Sequence, residues 1–168
     1  MRNAVTFIAI LHILMFISGC GVYSFTGANV NPNIKTISIQ QFDNTASNVV
    51  PNLTQTFSEA LRDKFLTQTS LSLVRESGHV DISGRITDYN VTPITIQGDQ
   101  TAGQNRLTLT VYVKFENELD PDENWEQSFS NFADFNANTN FSSVEQDLIR
   151  EINDKITQDI FSKAFANW

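Results

Sequence analysis

The side chains able to do chemistry are few in this sequence. Two histidines, His12 and His79, and one cysteine, Cys20, are its only soft metal ligands or neutral-pH bases, too few for a four-ligand zinc site. His79 follows Gly78 at the start of a predicted strand, with no Ser or Cys motif beside it, so it reads as a turn histidine rather than a general base. Asp120, Asp122 and Asn124 imitate the opening of a calcium-binding loop. The sixth position, however, is Trp125 where such a loop needs Gly, and the twelfth is Asn131 where it needs Glu. Asp120-Pro121-Asp122 is ordinary turn chemistry. Carboxylate pairs such as Asp43 with Asp63, or Glu116 with Glu118, are too scattered for glycosidic work. There is no Gly-x-Ser-x-Gly elbow, phosphate loop or dinucleotide fingerprint. We expect no enzyme, no cofactor and no metal.

Cys20 has a different chemistry. Met1-Arg2-Asn3 carries one cation, and Ala4 to Ile17 is an apolar run broken only by Thr6 and His12. Such a run is shorter than the ~20 residues a spanning helix needs. A short basic start, a short apolar stretch and small residues after it describe a secretory signal peptide. Ile17-Ser18-Gly19-Cys20 resembles the bacterial lipobox, where cleavage precedes the Cys and the Cys is acylated. The resemblance implies a signal peptide over residues 1–19, a lipidated Cys20 bearing diacylglycerol and an N-acyl chain such as palmitate, and a tether over residues 20–33. More than one acyl chain exceeds the two-signal threshold for stable anchoring. Gly21, with no Asp there, is similar to the outer-membrane pattern, and the stretch from Gly21 to Gly27 lacks an acidic run, so the expected location is the outer membrane, lipid-anchored and facing the periplasm.

Composition narrows the rest. There are 11 Lys+Arg against 19 Asp+Glu, a formal charge of −8, and 18% charged residues, below the usual quarter. So few cations argue against general nucleic-acid binding, which neutralises phosphates with Lys and Arg. Polarity comes instead from 17 Asn and 16 Thr, while 40% hydrophobic residues and 13 Phe exclude wholesale disorder.

Residues 34–168 read as one α+β domain. Ile34 to Phe42 is a strand, and Asp43 to Val50 a polar loop. A helix opens near Asn52, with Gln55 completing a capping box and an apolar stripe of Leu53, Phe57, Ala60, Leu61 and Phe65. Leu71 to Val74 is a short strand. Val80, Ile82 and Ile86 alternate with polar residues, and the phase changes by Tyr89 and Val91, predicting a bulge near Asp88. After a polar loop from Thr95 to Gln104, Leu107, Leu109, Val111, Val113 and Phe115 face one way along the clearest strand. Trp125, Phe129, Ala133 and Phe135 line the last. Ser142-Ser143-Val144-Glu145 reads as a capping box, opening a helix whose stripe runs from Val144 to Phe165. The expected fold is two-layer, order β-α-β-β-β-α, with two helices packed on one face of a four-stranded mixed sheet. The opposite face would show Thr87, Arg106, Thr108, Thr110, Tyr112, Ser128 and Phe132, suited to solvent or to a binding surface.

Gly19-Cys20-Gly21-Val22-Tyr23-Ser24-Phe25 resembles the start of the LptE family of lipopolysaccharide-assembly lipoproteins. The similarity extends to Gln40-Gln41-Phe42, to the helix from Leu53 to Asp63, and to Gln127 through Asp134. The ending from Gln158 to Trp168 is similar to Bacteroidetes-type members. The resemblance implies two helices on a four-stranded sheet and a non-catalytic plug and folding partner of the LptD β-barrel, binding lipopolysaccharide. It identifies no specific lipid-contact residues. Cations should face lipid phosphates, which makes Arg85, Arg106 and Lys114 the candidates. Other roles open to a small tethered α+β domain are a secretin pilotin-like assembly factor, a cell-wall synthase activator, or a free-standing lipid- or glycan-binding lipoprotein.

Overall fold

The computed structural model describes residues 30–165 except 49 and 95–102. The signal peptide, Cys20 and most of the tether expected from the sequence lie outside those residues. Eight elements follow in order: β1 (Thr36–Ile39), β2 (Asp43–Asn44), α1 (Leu53–Gln68), β3 (Ser72–Val74), β4 (Val80–Ile94), β5 (Gln104–Asn117), β6 (Trp125–Asn136) and α2 (Phe141–Phe165). A short 3-10 turn, Pro121–Glu123, joins β5 to β6.

The sheet is mixed, with the order β3-β1-β4-β5-β6. It has six strands, not four. Ser72–Val74 is a full member, parallel to β1. Asp43–Asn44, expected as loop, runs parallel to β4 opposite Arg85 and Ile86. The strand expected from Ile34 to Phe42 is therefore shortened to Thr36–Ile39, a second short strand follows at Asp43–Asn44, and the order becomes β-β-α-β-β-β-β-α. The break between β1 and β2 has a local cause: the Phe42 ring is buried against Phe57 at 5.0 Å between centroids, and its amide donates to Ser58 Oγ at 3.0 Å instead of to a strand.

The other strand expectations hold. β1 is parallel to β4, while β4, β5 and β6 form an antiparallel meander. The register shifts between Ile86 and Asp88, so the extra residue turns Tyr89 back toward the core, where it is 5% exposed. Alternation along β5 sends Leu107, Leu109, Val111, Val113 and Phe115 into the core.

Both helices cover that apolar face. Leu53, Phe57, Leu61 and Phe65 of α1 are buried, and α2 contributes Leu148, Ile149, Ile152, Ile156, Ile160, Phe161 and Phe165. Phe65 joins the two helices, meeting Phe161 at 5.3 Å and Phe165 at 5.6 Å. Phe115 stacks on Trp125 at 5.2 Å within the sheet while meeting Phe165 of α2 edge-on at 6.2 Å. Such pairs add about 0.5–1.5 kcal/mol each beyond their area.

The caps differ from the sequence reading. Asn52 adopts a left-handed conformation (φ 63°) with no side-chain cap bond, and Gln55 bonds Glu59 instead. At α2 the cap is Asn140, whose Oδ1 accepts from the Ser142 amide at 3.1 Å. Phe141 packs on Phe135 at 5.4 Å, drawing the helix start two residues earlier than Ser143.

Candidate functional site

With both helices on one face, the other face of β4-β5-β6 is left open. Its side chains form cross-strand rows dictated by register: Arg85, Tyr112 and Ser128; Ser83, Lys114 and Glu126; Thr92, Arg106 and Asp134; Asn90, Thr108 and Phe132. The residues expected there from alternation are there, and none is buried. Thr110 Oγ1 and Ser130 Oγ share a hydrogen bond at 3.0 Å.

The three candidate cations all lie on this face, in different electrostatic settings. Arg106 is held by a two-point fork: Nε donates to Asp134 Oδ1 at 2.7 Å and Nη2 to Oδ2 at 2.9 Å. Its guanidinium also lies 3.5 Å from the centroid of Phe132. The bond to Asp134 raises the Arg106 pKa and, from the other side, holds the Asp134 carboxyl below its usual range. Lys114 pairs with Glu116 at 2.8 Å, and that bond raises its pKa. Arg85 stacks over Tyr112 at 4.3 Å and makes no ion pair with any described residue. The Tyr112 hydroxyl donates to Glu126, and its pKa is raised by that bond first and by partial burial second.

The face is thus nearly self-neutralising, and of the three cations Arg85 alone makes no ion pair among the described residues. Alternation located the three cations. It missed Asp134 and Glu126, because a partner across the sheet is visible only once the β5–β6 register is known.

The remaining chemical candidates take structural positions. His79 Nδ1 accepts from the Lys35 amide at 3.0 Å, and its own amide donates to Thr36 Oγ1 at 3.0 Å; it pins β1 to the start of β4. Asn124 Oδ1 accepts from the Asn117 amide at 2.6 Å, and Asn117 Nδ2 donates to Glu123, so the Asp120–Asn124 segment is a hairpin clasp. A hollow of about 420 Å³ lies beside that clasp between Asn31, Trp125 and Lys163. Among the described residues no group of three metal-ligating side chains converges, and no helix is long and apolar enough to cross a membrane.

This is a two-layer α+β domain of the kind found in a minor lipoprotein from Acinetobacter baumannii (18% identity, TM-score 0.52, covering 80% of this chain and 94% of that one). The same fold likeness extends to a putative neuraminyllactose-binding hemagglutinin homolog from Helicobacter pylori (13% identity, TM-score 0.51, covering 84% and 88%). No curated protein matches the chain. The family model LptE, lipopolysaccharide-assembly, matches residues 34–164, and the chain belongs to the LptE family. The expected resemblance is therefore correct, and with it membership in a non-catalytic family of outer-membrane lipoproteins that serve lipopolysaccharide assembly.

Proposed function

We propose that this chain acts as the plug and folding partner of a large LptD-like outer-membrane β-barrel, and that it meets lipopolysaccharide on the open face of its sheet. The family match across residues 34–164 carries this reading. The self-neutralised face of Thr, Ser, Tyr and paired charges supports it, since a protein enclosed by a polar barrel lumen presents hydrogen-bonding groups without a large unbalanced field. Cys20, following a signal peptide over residues 1–19, is the lipid anchor. From Cys20 to Val30 an extended tether reaches at most about 33–36 Å, so the domain at residues 34–168 works close to the membrane surface.

Of the three cations, Arg85 meets a lipid phosphate at the lowest cost, because Arg106 and Lys114 must first leave Asp134 and Glu116. Arg85→Glu should then weaken lipopolysaccharide binding more than Arg106→Glu or Lys114→Glu. Unchanged binding in all three folded variants removes the lipid face from the proposal. Partnership is tested by isolating the Cys20-anchored protein from detergent-solubilised outer membrane. A stoichiometric large barrel is expected; recovery alone, or with a secretin, overturns the reading. Cys20→Ala should release the protein from membranes when the barrel is absent, and continued membrane association would refute the anchor.

A further inference from the structure

β6 ends the sheet, and among the described residues no strand lies beyond it. Its 12 residues contain neither Pro nor Lys, the devices that most often blunt an exposed edge. The Phe132 carbonyl and amide both turn away from β5. In an antiparallel ladder every second residue does the same, so Glu126, Ser128, Ser130, Asp134 and Asn136 offer their backbone groups to the outside as well.

The obstruction comes from the helix layer and converges on one rung. Lys155 of α2 donates from Nζ to the Phe132 carbonyl at 3.0 Å, is steered there by Glu151 at 2.7 Å, and lies 5.9 Å from the Phe132 ring. The Phe132 amide is covered by Asn131 Oδ1 at 3.0 Å, and Asn131 Nδ2 reaches Asp159 at 3.5 Å. We propose that Lys155 guards this edge: by occupying the Phe132 carbonyl it keeps β6 from pairing antiparallel with the β6 of a second copy of this chain.

The occupant follows from the pattern along the strand. A two-fold axis through Asn131 sets Ser130 opposite Phe132 of the second copy, Ser128 opposite Asp134, and Glu126 opposite Asn136. No two like charges meet in that register. The rungs flanking the axis are the ones Lys155 and Asn131 block, once from each copy. The strand is self-complementary in its side chains and closed to itself only by the cap.

The test compares the full chain with Lys155→Met/Asn131→Ala in detergent solution, reading protein mass by light scattering across a wide dilution series. The parent chain should have the mass of one copy throughout. The double variant should double in mass as concentration rises, and adding Ser130→Pro, which removes an outward amide from the same edge, should return it to one copy. A folded double variant that stays single, or a dimer that survives Ser130→Pro, overturns the proposal. If the double variant loses its helical circular dichroism, Lys155→Met alone, which keeps Asn131 in place, is read by the same two criteria.

Discussion

The Tyr89 hydroxyl donates to Glu145 Oε1 across 2.7 Å, joining the half of β4 beyond its bulge to the opening turns of α2, 56 residues later. Without the extra residue at the bulge, Tyr89 would face the open side and the strand would have no polar contact with the helix layer. The Asn48 side chain adds a donor to the Tyr89 carbonyl at 3.0 Å, so one residue gathers a loop, a strand and a helix.

Burial and the Glu145 bond raise the Tyr89 pKa well above the ordinary 10.0. A raised folded-state value means stability is fully present below pH 10.0 and is lost as pH climbs beyond it, because the unfolded phenol ionises first. Tyr89→Phe should cost about 1.5–3 kcal/mol at neutral pH, the range for a hydrogen bond to a charged group. It should also flatten the stability loss above pH 10. Urea unfolding at neutral and alkaline pH measures both effects.

Asn153, 1% exposed in the middle of α2, leaves both its amide nitrogen and its oxygen without a hydrogen-bond partner. Burying an unanswered amide costs about 1–3 kcal/mol. Asn153→Leu should therefore stabilise the domain by about 1–2 kcal/mol, with a further few tenths from helix propensity. A rise in the urea midpoint without a change in slope is the expected signature.

Gly84 sits where β4 crosses under the Phe42 ring. A Cβ there would collide with the Tyr112 carbonyl oxygen and with that ring. Gly84→Ala should destabilise by roughly 3 kcal/mol, the upper end of ordinary overpacking costs. Gly103→Ala, where the nearest atom is the Ala137 Cβ at 3.6 Å, should be well tolerated. Comparing the two by thermal unfolding separates crowding from backbone effects.

Asp134 is held below the usual carboxylate value of 3.8 by its bond to Arg106. The sign is that of a lowered acid: the contribution of the pair is present above pH 3.8 and disappears as pH falls through the lowered value. A carbon-detected titration should find the Asp134 midpoint below 3.8 in the parent chain and near it in Arg106→Met. A midpoint unmoved by that substitution would show that the fork is open in solution.

Much of this fold was readable because β4, β5 and β6 have one wet and one dry face. Period-two alternation survives wherever burial is one-sided, and even the bulge announced itself as a change of phase before Tyr89. β2 had no such signal: Asp43 and Asn44 join the sheet through backbone groups alone, and their polar side chains look like loop. The caps failed for a related reason. Asn140 and Ser142 are equally good capping chemistry, and only the packing of Phe141 on Phe135 decides between them. On the open face, the cations were visible as types at alternating positions. Lys114 and Glu116, two residues apart on β5, are neighbours by alternation alone. The pairing of Arg106 with Asp134, the bond of Tyr112 to Glu126 and the reach of Lys155 around the sheet edge depend instead on register and on helix placement that one strand cannot encode.

β1 lies inside the sheet, yet it is the first strand to be made. Its two neighbours, β3 and β4, begin at Ser72 and Val80, so a chain emerging amino end first presents β1 with both flanks bare until Ser72 and one flank bare until Val80. The β4-β5-β6 meander can close on short-range contacts, but seating β1 between β3 and β4 requires long loops to close first, a slow step with exposed strand edges. The stage at which this protein is most in need of an escort is therefore before its second half exists, and the segment an escort must cover is Thr36–Ile39.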